Sequence, residues 1–127
     1  MSLATRRRQP FLVIATPLPE LPTVTLYRDT WFDKITKNHV EMAGREDAVR
    51  VVVASPTAIC RGSANPRYLV FLNSSIRSPS GSAPLTVYVD PLHRIVVSAY
   101  YNRSFARITP DQVIWQPFAN PEPKRRA

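Results

Sequence analysis

Seven side chains in this chain have the right types for chemistry on a phosphodiester: Lys34, His39, Arg61, Arg67, Arg94, Ser98 and Tyr100. RNA cleavage needs a group to take the 2′-hydroxyl proton, a group to protonate the leaving oxygen, and cations to stabilise charge developing on phosphorus. His39 is the candidate acid or base, Lys34 and the three arginines are candidate phosphate ligands, and Ser98 with Tyr100 would position the substrate. His39 also has a purely structural reading, because it borders an apolar stripe with Ile35 and Met42 and could sit hydrogen-bonded at the rim of a core. On an α-helix, Lys34 and His39 are about 140° apart, so both reach one cleft only at the helix edge. Strict alternation in the last apolar run places Arg94, Val96, Ser98 and Tyr100 on one face and Ile95, Val97, Ala99 and Tyr101 on the other. The second face is the better core, which leaves Ser98 and Tyr100 on an open floor suited to a phosphate or a stacked base. His93 reads as a turn residue.

Other chemistries lack their signatures. There is no phosphate-binding glycine loop, no paired cysteines, no His-Glu-x-x-His and no Gly-x-Ser-x-Gly. Asp90 and Asp111 stand beside prolines in turns, where aspartate serves as a local acceptor, so neither a metal nor a cofactor is expected. The single Cys60 gives no disulfide framework and reads as a small buried residue, which makes a reducing cytoplasm the default compartment.

The elements that must position these residues follow from pattern. Thr23 to Tyr27 is a short strand; Asp29 or Thr30 caps a helix running to about Ala43, with Gly44 as its stop. Arg45 to Ser55 is a second helix with Val49, Val52 and Val53 inward and Pro56 after its last turn. The period then changes to two over Ala58–Arg61, Arg67–Leu72, Leu85–Val89 and Arg94–Tyr101, a four-strand meander with a long loop from Asn73 to Pro84 and a short turn from Asp90 to His93. Thr109-Pro110-Asp111-Gln112 has a capping pattern that predicts one further turn of helix. The expected fold is α+β, two N-terminal helices packed on a four-stranded antiparallel sheet.

At 127 residues the chain is one domain. Its prolines gather at the ends, so residues 1–22 read as a basic proline-rich arm, 23–108 as the domain, and 109–127 as a C-terminal turn and basic tail. The net charge of +8 is uneven. Arg6, Arg7, Arg8, Lys124, Arg125 and Arg126 sit at the tips, residues 61 to 107 carry +5, and residues 20 to 47 carry −2. A basic β half favours polyanions, although scattered arginines also simply solubilise a sheet. No apolar run approaches the roughly 20 residues needed to cross a bilayer, and Phe11 to Ala15 is too short for an export signal. Phe11 to Ile14 is too apolar to stay in water, so the arm packs on its own domain or joins two copies as a homodimer.

The spacing Trp31, Lys34-Ile35, Asn38-His39, then a second helix closed by Pro56, Ile59, and finally Val96-Val97-Ser98-Ala99-Tyr100 resembles phage-associated members of the barnase, EndoU, tRNA-cleaving colicin and RelE-like nuclease group. In that group a helix bears His-Ile-x-x-Arg-His and a late strand ends in Thr-x-Tyr. The resemblance covers roughly residues 23 to 105. It implies a metal-independent ribonuclease or toxin-like domain acting on RNA such as tRNA or rRNA, with His39, Lys34, Ser98 and Tyr100 at the catalytic site and an inhibitor or immunity protein as a further partner. His39 and Tyr100 match the pattern outright, whereas the first histidine falls on Lys34, the arginine on Asn38 and the threonine on Ser98. Those departures keep a second expectation open: a non-catalytic interaction or nucleic-acid-binding module with a degraded nuclease site.

Overall fold

The computed structural model describes residues 8–62 and 65–117. Arg6, Arg7 and the basic tail with Lys124, Arg125 and Arg126 lie outside the described residues. In chain order come β1 (Pro10–Ala15), β2 (Thr23–Tyr27), helix α1 over residues 28–38, a 3-10 turn (Val40–Met42), α2 (Glu46–Ala54), β3 (Ala58–Arg61), β4 (Leu69–Arg77), β5 (Pro84–Asp90) and β6 (Ile95–Tyr101). Two 3-10 turns (Arg103–Phe105 and Pro110–Gln112) then lead to β7 (Val113–Trp115). The strands make one seven-stranded sheet in the order β1-β2-β6-β5-β4-β3-β7. Every pairing is antiparallel except β2 with β6, which is parallel.

The fold is α+β, but the expected two helices on a four-stranded antiparallel sheet are not what forms. The sheet is mixed and nearly twice as wide, because proline-flanked segments outside the meander supply strands. Pro10 tolerates its place as the first residue of an edge strand, where no ladder donor is needed. The other N-terminal prolines fall in the β1–β2 turn, which Thr16 closes by donating its hydroxyl to the Leu21 carbonyl at 2.5 Å while accepting from the Leu18 amide at 3.0 Å. At the other edge, β7 pairs with β3 just after the capping pattern, where Gln112 Oε1 accepts from the Thr109 amide at 2.8 Å.

The helices are also shorter than expected. Chain leaves β2 directly into α1, which contains a π turn over Trp31–Ile35 and stops at Asn38, because His39 departs from helical geometry at φ −133 and ψ 82. Met42 then reaches the core from the 3-10 turn, and Gly44 reverses the chain at φ +80, a conformation that favours glycine. In α2, Val49, Val52 and Val53 are fully buried as the periodicity implied, each contributing about 1.5–3 kcal/mol by burial. Glu46 and Asp47 occupy its first turn, favourable to the helix dipole.

Both sheet faces are covered, unequally. On one, Trp31 and Ile35 of α1 and the α2 valines pack on Val24, Leu26, Phe71, Leu85, Val87, Val89, Val96 and Ala99. Because α2 touches β1 as well as β4 and β5, the sheet curls around it. On the other face, Phe105, Ile108 and Val113 cover Ala58, Cys60, Val70 and Leu72. The C-terminal segment leaves part of this second face open beside β6.

The β5–β6 hairpin sets where β6 lies. Asp90 accepts from the Leu92 amide at 3.0 Å and pairs with His93 Nδ1 at 2.8 Å, while the Arg94 amide donates to the Asp90 carbonyl at 2.8 Å. The His93 hydrogen bond, outweighing partial burial, holds the Asp90 carboxyl below its usual 3.8. A carboxyl lowered in the folded state stabilises the fold above the unfolded-state value and loses that contribution as pH falls through the lowered one. Asp90→Ala should therefore cost about 1–3 kcal/mol in urea unfolding at pH 7, and the gap to the wild type should narrow below pH 3.8. An unchanged gap across that range would show that the turn does not depend on the charged carboxylate.

Candidate functional site

Strand β6 carries a bulge at the point where the site begins. Tyr88 pairs with Ser98 but Val89 pairs with Val96, so Val97 is an extra residue on β6. Strict alternation therefore fails here. Val96 turns into the core with Ala99, and it does not share a face with Ser98 and Tyr100 as the sequence pattern implied. Beyond its bridge to Thr25 at Ile95, β6 also loses β2 as a neighbour. Helix α1 packs along the strand instead, and Lys34 Nζ donates to the Val97 carbonyl at 2.5 Å across 63 residues of sequence.

Beside that contact lies a cleft of about 360 Å³ whose lining includes Lys34, Val97, Ser98, Tyr100, Tyr88 and Tyr68. Its aromatic wall is a three-ring stack. The His39 imidazole lies on Tyr100 with centroids 4.5 Å apart and planes 15° apart, and Tyr100 lies on Tyr88 at 5.1 Å and 17°. Tyr88 and Tyr100 meet diagonally on neighbouring strands, a spacing that aromatic side chains span. Nδ1 of His39 is 3.9 Å from the Glu41 carboxylate. Burial, with a smaller effect of the adjacent Tyr88 hydroxyl, pushes the Tyr100 phenol up to about 12, so it remains a proton-bearing donor at neutral pH.

Two loops complete the cleft. Asn102 Oδ1 accepts from the Ser104 amide at 3.0 Å and its hydroxyl at 2.7 Å, while Nδ2 donates to the Tyr88 hydroxyl at 2.9 Å. On the opposite rim, Asn65 Oδ1 accepts from the Arg67 amide at 3.0 Å, and the Tyr68 amide donates to the Asn65 carbonyl at 3.1 Å. Gly62 is required where this connection folds back, since any Cβ there would collide with the Asn65 carbonyl oxygen.

The structure thus brings Lys34, Ser98 and Tyr100 to one cleft, with His39 stacked on its wall. Lys34 and His39 both meet β6, at the Val97 carbonyl and the Tyr100 ring, along a segment with a π turn and a break in helical geometry at His39. Arg61 and Arg67 are exposed and adjoin in sequence Gly62 and Tyr68 of the lining, but neither lines the cleft itself. Arg94 does not join them: it sits in the β5–β6 turn at φ 59, and its carbonyl accepts from the Thr25 amide at 3.0 Å. His93 faces Asp90, as a turn residue would. Burial pushes the Cys60 thiol up to about 11, which makes it a poor nucleophile. Sequence reasoning missed Tyr68, Tyr88, Asn65 and Asn102. Tyr88 was legible as the polar-faced partner of Ser98 in the meander, whereas the two asparagines carry no local signal.

Among the described residues, no three His, Cys, Asp or Glu side chains converge as a metal site, and no helix is long and apolar enough to cross a membrane. No family model, curated protein or solved structure matches this chain.

Arg94 is the non-glycine residue with a left-handed backbone among the described residues, at φ 59. Arg94→Gly should leave stability in urea unfolding unchanged or raise it by up to about 1 kcal/mol, because glycine tolerates the left-handed conformation. A clear loss of stability would show that the Arg94 side chain itself holds the β5–β6 turn.

Proposed function

We propose that this domain acts on RNA at the α1–β6 cleft, as a metal-independent ribonuclease of the kind the barnase, EndoU, colicin and RelE-like resemblance implies. The observation that carries the reading is the convergence of Lys34, Ser98 and Tyr100 on one aromatic-walled cleft, with the His39 ring stacked on Tyr100, although residues 34 and 39 lie far in sequence from 98 and 100. In the proposed reaction the 2′-oxygen attacks phosphorus as its proton passes to a base. The bond to the 5′-oxygen breaks and that oxygen takes up a proton, leaving a 2′,3′-cyclic phosphate and a 5′-hydroxyl. His39 serves as the acid or base, Tyr100 supplies a neutral O–H, and Lys34 with Arg61 and Arg67 attracts the phosphates.

One observation favours a second reading. The Lys34 ammonium is already engaged by the Val97 carbonyl, and the position of a second catalytic histidine in the resembling group is this same lysine. A cleft so arranged suits an RNA-binding module without turnover.

The test is incubation with total tRNA and rRNA in EDTA, alongside His39→Phe. Phenylalanine keeps a ring on Tyr100 but cannot move a proton, so chemistry separates from packing. The expected result is discrete fragments ending in cyclic phosphate for the wild type, with cleavage reduced at least about 100-fold in the variant and its melting temperature retained. Cleavage by His39→Phe at the wild-type rate would remove His39 from the chemistry. Absence of cleavage by wild type, with RNA affinity that falls steeply with salt, would establish the binding module instead.

A further inference from the structure

The sheet ends on β1, and the phase of its ladder shows which backbone groups face outward. The Thr16 amide donates to the Pro22 carbonyl at 3.0 Å, so in the β1–β2 register the backbones of Ile14 and Leu12 also point at β2. Val13 and Ala15 alternate with them and point their N–H and C=O groups away. Thr25 gives the same phase from the other strand: it stands opposite Val13, yet its amide donates to the Arg94 carbonyl on β6. Among the described residues no strand pairs with this outer edge of β1. Val13 is 58% exposed, and Ala15 is exposed as well. Edge strands are ordinarily guarded by a charge or by brevity. The opposite edge, β7, has only three residues and is followed by Pro117. By contrast β1 has six residues, no charged side chain occurs from Gln9 to Pro19, and its bulge lies at its start, between Pro10 and Leu12.

We propose that the outer edge of β1 is the docking site for a second copy of this chain, paired antiparallel about a two-fold axis so that the two sheets continue as one. Pairing Val13 with Ala15 of the second copy, and Ala15 with its Val13, engages every outward N–H and C=O group of both residues. Charge selects a second copy as the occupant. The start of β1 is basic, with exposed Arg8 and Arg28 outnumbering Asp29, whereas the turn after it carries exposed Glu20. In this register position 8 stands against position 20, so each basic end meets the acidic turn of the other copy; a parallel arrangement would set like ends together. Between those ends the edge has no charge to repel its own copy. Phe32, 47% exposed and packed on Phe11 with ring centroids 5.3 Å apart, adds apolar surface at the basic end. A two-fold contact closes at two copies and leaves only the short β7 edges, so the assembly stops at a dimer. It requires nothing of the proposed action on RNA.

The experiment is sedimentation equilibrium of the full chain from about 10 µM to about 1 mM, the range in which small interfaces associate, with amide hydrogen exchange followed by NMR at both ends of that range. The mass should rise toward twice that of the monomer. The Val13 and Ala15 amides should exchange at least about tenfold more slowly at the high concentration, while the Ile14 amide, already paired with β2, is protected throughout. Val13→Pro removes only an outward N–H, so β1 keeps its ladder with β2, and it should weaken association at least about tenfold with the fold retained in thermal melting. Val13→Lys places a charge on the edge and should act in the same direction, which decides the matter where the proline variant fails to fold. A monomer across the whole range would overturn the proposal. So would a dimer whose Val13 and Ala15 amides exchange as fast as in the monomer, a folded variant that dimerises as the wild type does, or growth beyond two copies.

Discussion

Where β2 leaves β6, a strand in the middle of the sheet acquires a free edge. The parallel pair is held by a single bridge between Thr25 and Ile95, with the Thr25 amide on the Arg94 carbonyl at 3.0 Å. Beyond it, β6 has backbone groups that cannot be buried unpaired, because an orphaned carbonyl in the interior forfeits its hydration. Helix α1 resolves this by running from the end of β2 into the gap. Trp31 and Ile35 anchor it in the core, each fully buried side chain contributing about 1.5–3 kcal/mol. That anchoring places Lys34 at the Val97 carbonyl and His39 on Tyr100. The candidate site is assembled at the same contacts that close the sheet, which is why residues so distant in sequence share one cleft.

The periodic segments of this fold were legible in the sequence. The α2 valines, the four meander strands and the Asp90 to His93 turn all come from regular patterns, and regular patterns are what hydrophobic burial imposes. Three features break the period and escaped it. The β6 bulge moves Val96 to the opposite face from Ser98 and Tyr100; the π turn in α1 changes which side Lys34 presents; and β4 continues to Arg77, with Asn73 donating to the Ser55 carbonyl at 2.7 Å where a loop was expected. Each depends on a distant partner, so no local window contains the information. The outer strands escaped for another reason: β1 and β7 are short and sit among prolines, which edge strands tolerate and central strands do not.

Charge illustrates the same division between composition and placement. The β half is basic, but its arginines do not form one patch. Arg61 and Arg67 are exposed beside Gly62 and Tyr68 in sequence, Arg94 marks the hairpin end of β6, and Arg77 turns back on its own loop, donating to the Gly81 carbonyl at 2.8 Å. Summed charge along a segment therefore overstates the electrostatic footprint of the site. Arg8 adds a further cation that composition assigned to the tip: it pairs with Asp29 at 3.0 Å and lies over the Tyr27 ring at 4.3 Å. Partial neutralisation by Asp29 makes it a fastener of the α1 start more than a phosphate ligand.

In the proposed chemistry, one imidazole in place of two does not remove the second proton carrier. Stacking on Tyr100 holds the His39 ring by its face, so its nitrogens lie at the ring edge, with Nδ1 3.9 Å from the Glu41 carboxylate. A phenol raised to about 12 is a poor base, since its anion is scarce at neutral pH. It is still a stronger acid than a sugar hydroxyl, so it can yield a proton to a departing 5′-oxygen while remaining neutral beforehand. An imidazole that accepts and a phenol that donates, fixed in contact, divide the two proton transfers that a histidine pair performs. The burial that raises the Tyr100 phenol also keeps its ring in the stack, so the same packing that fixes the ring keeps its hydroxyl protonated.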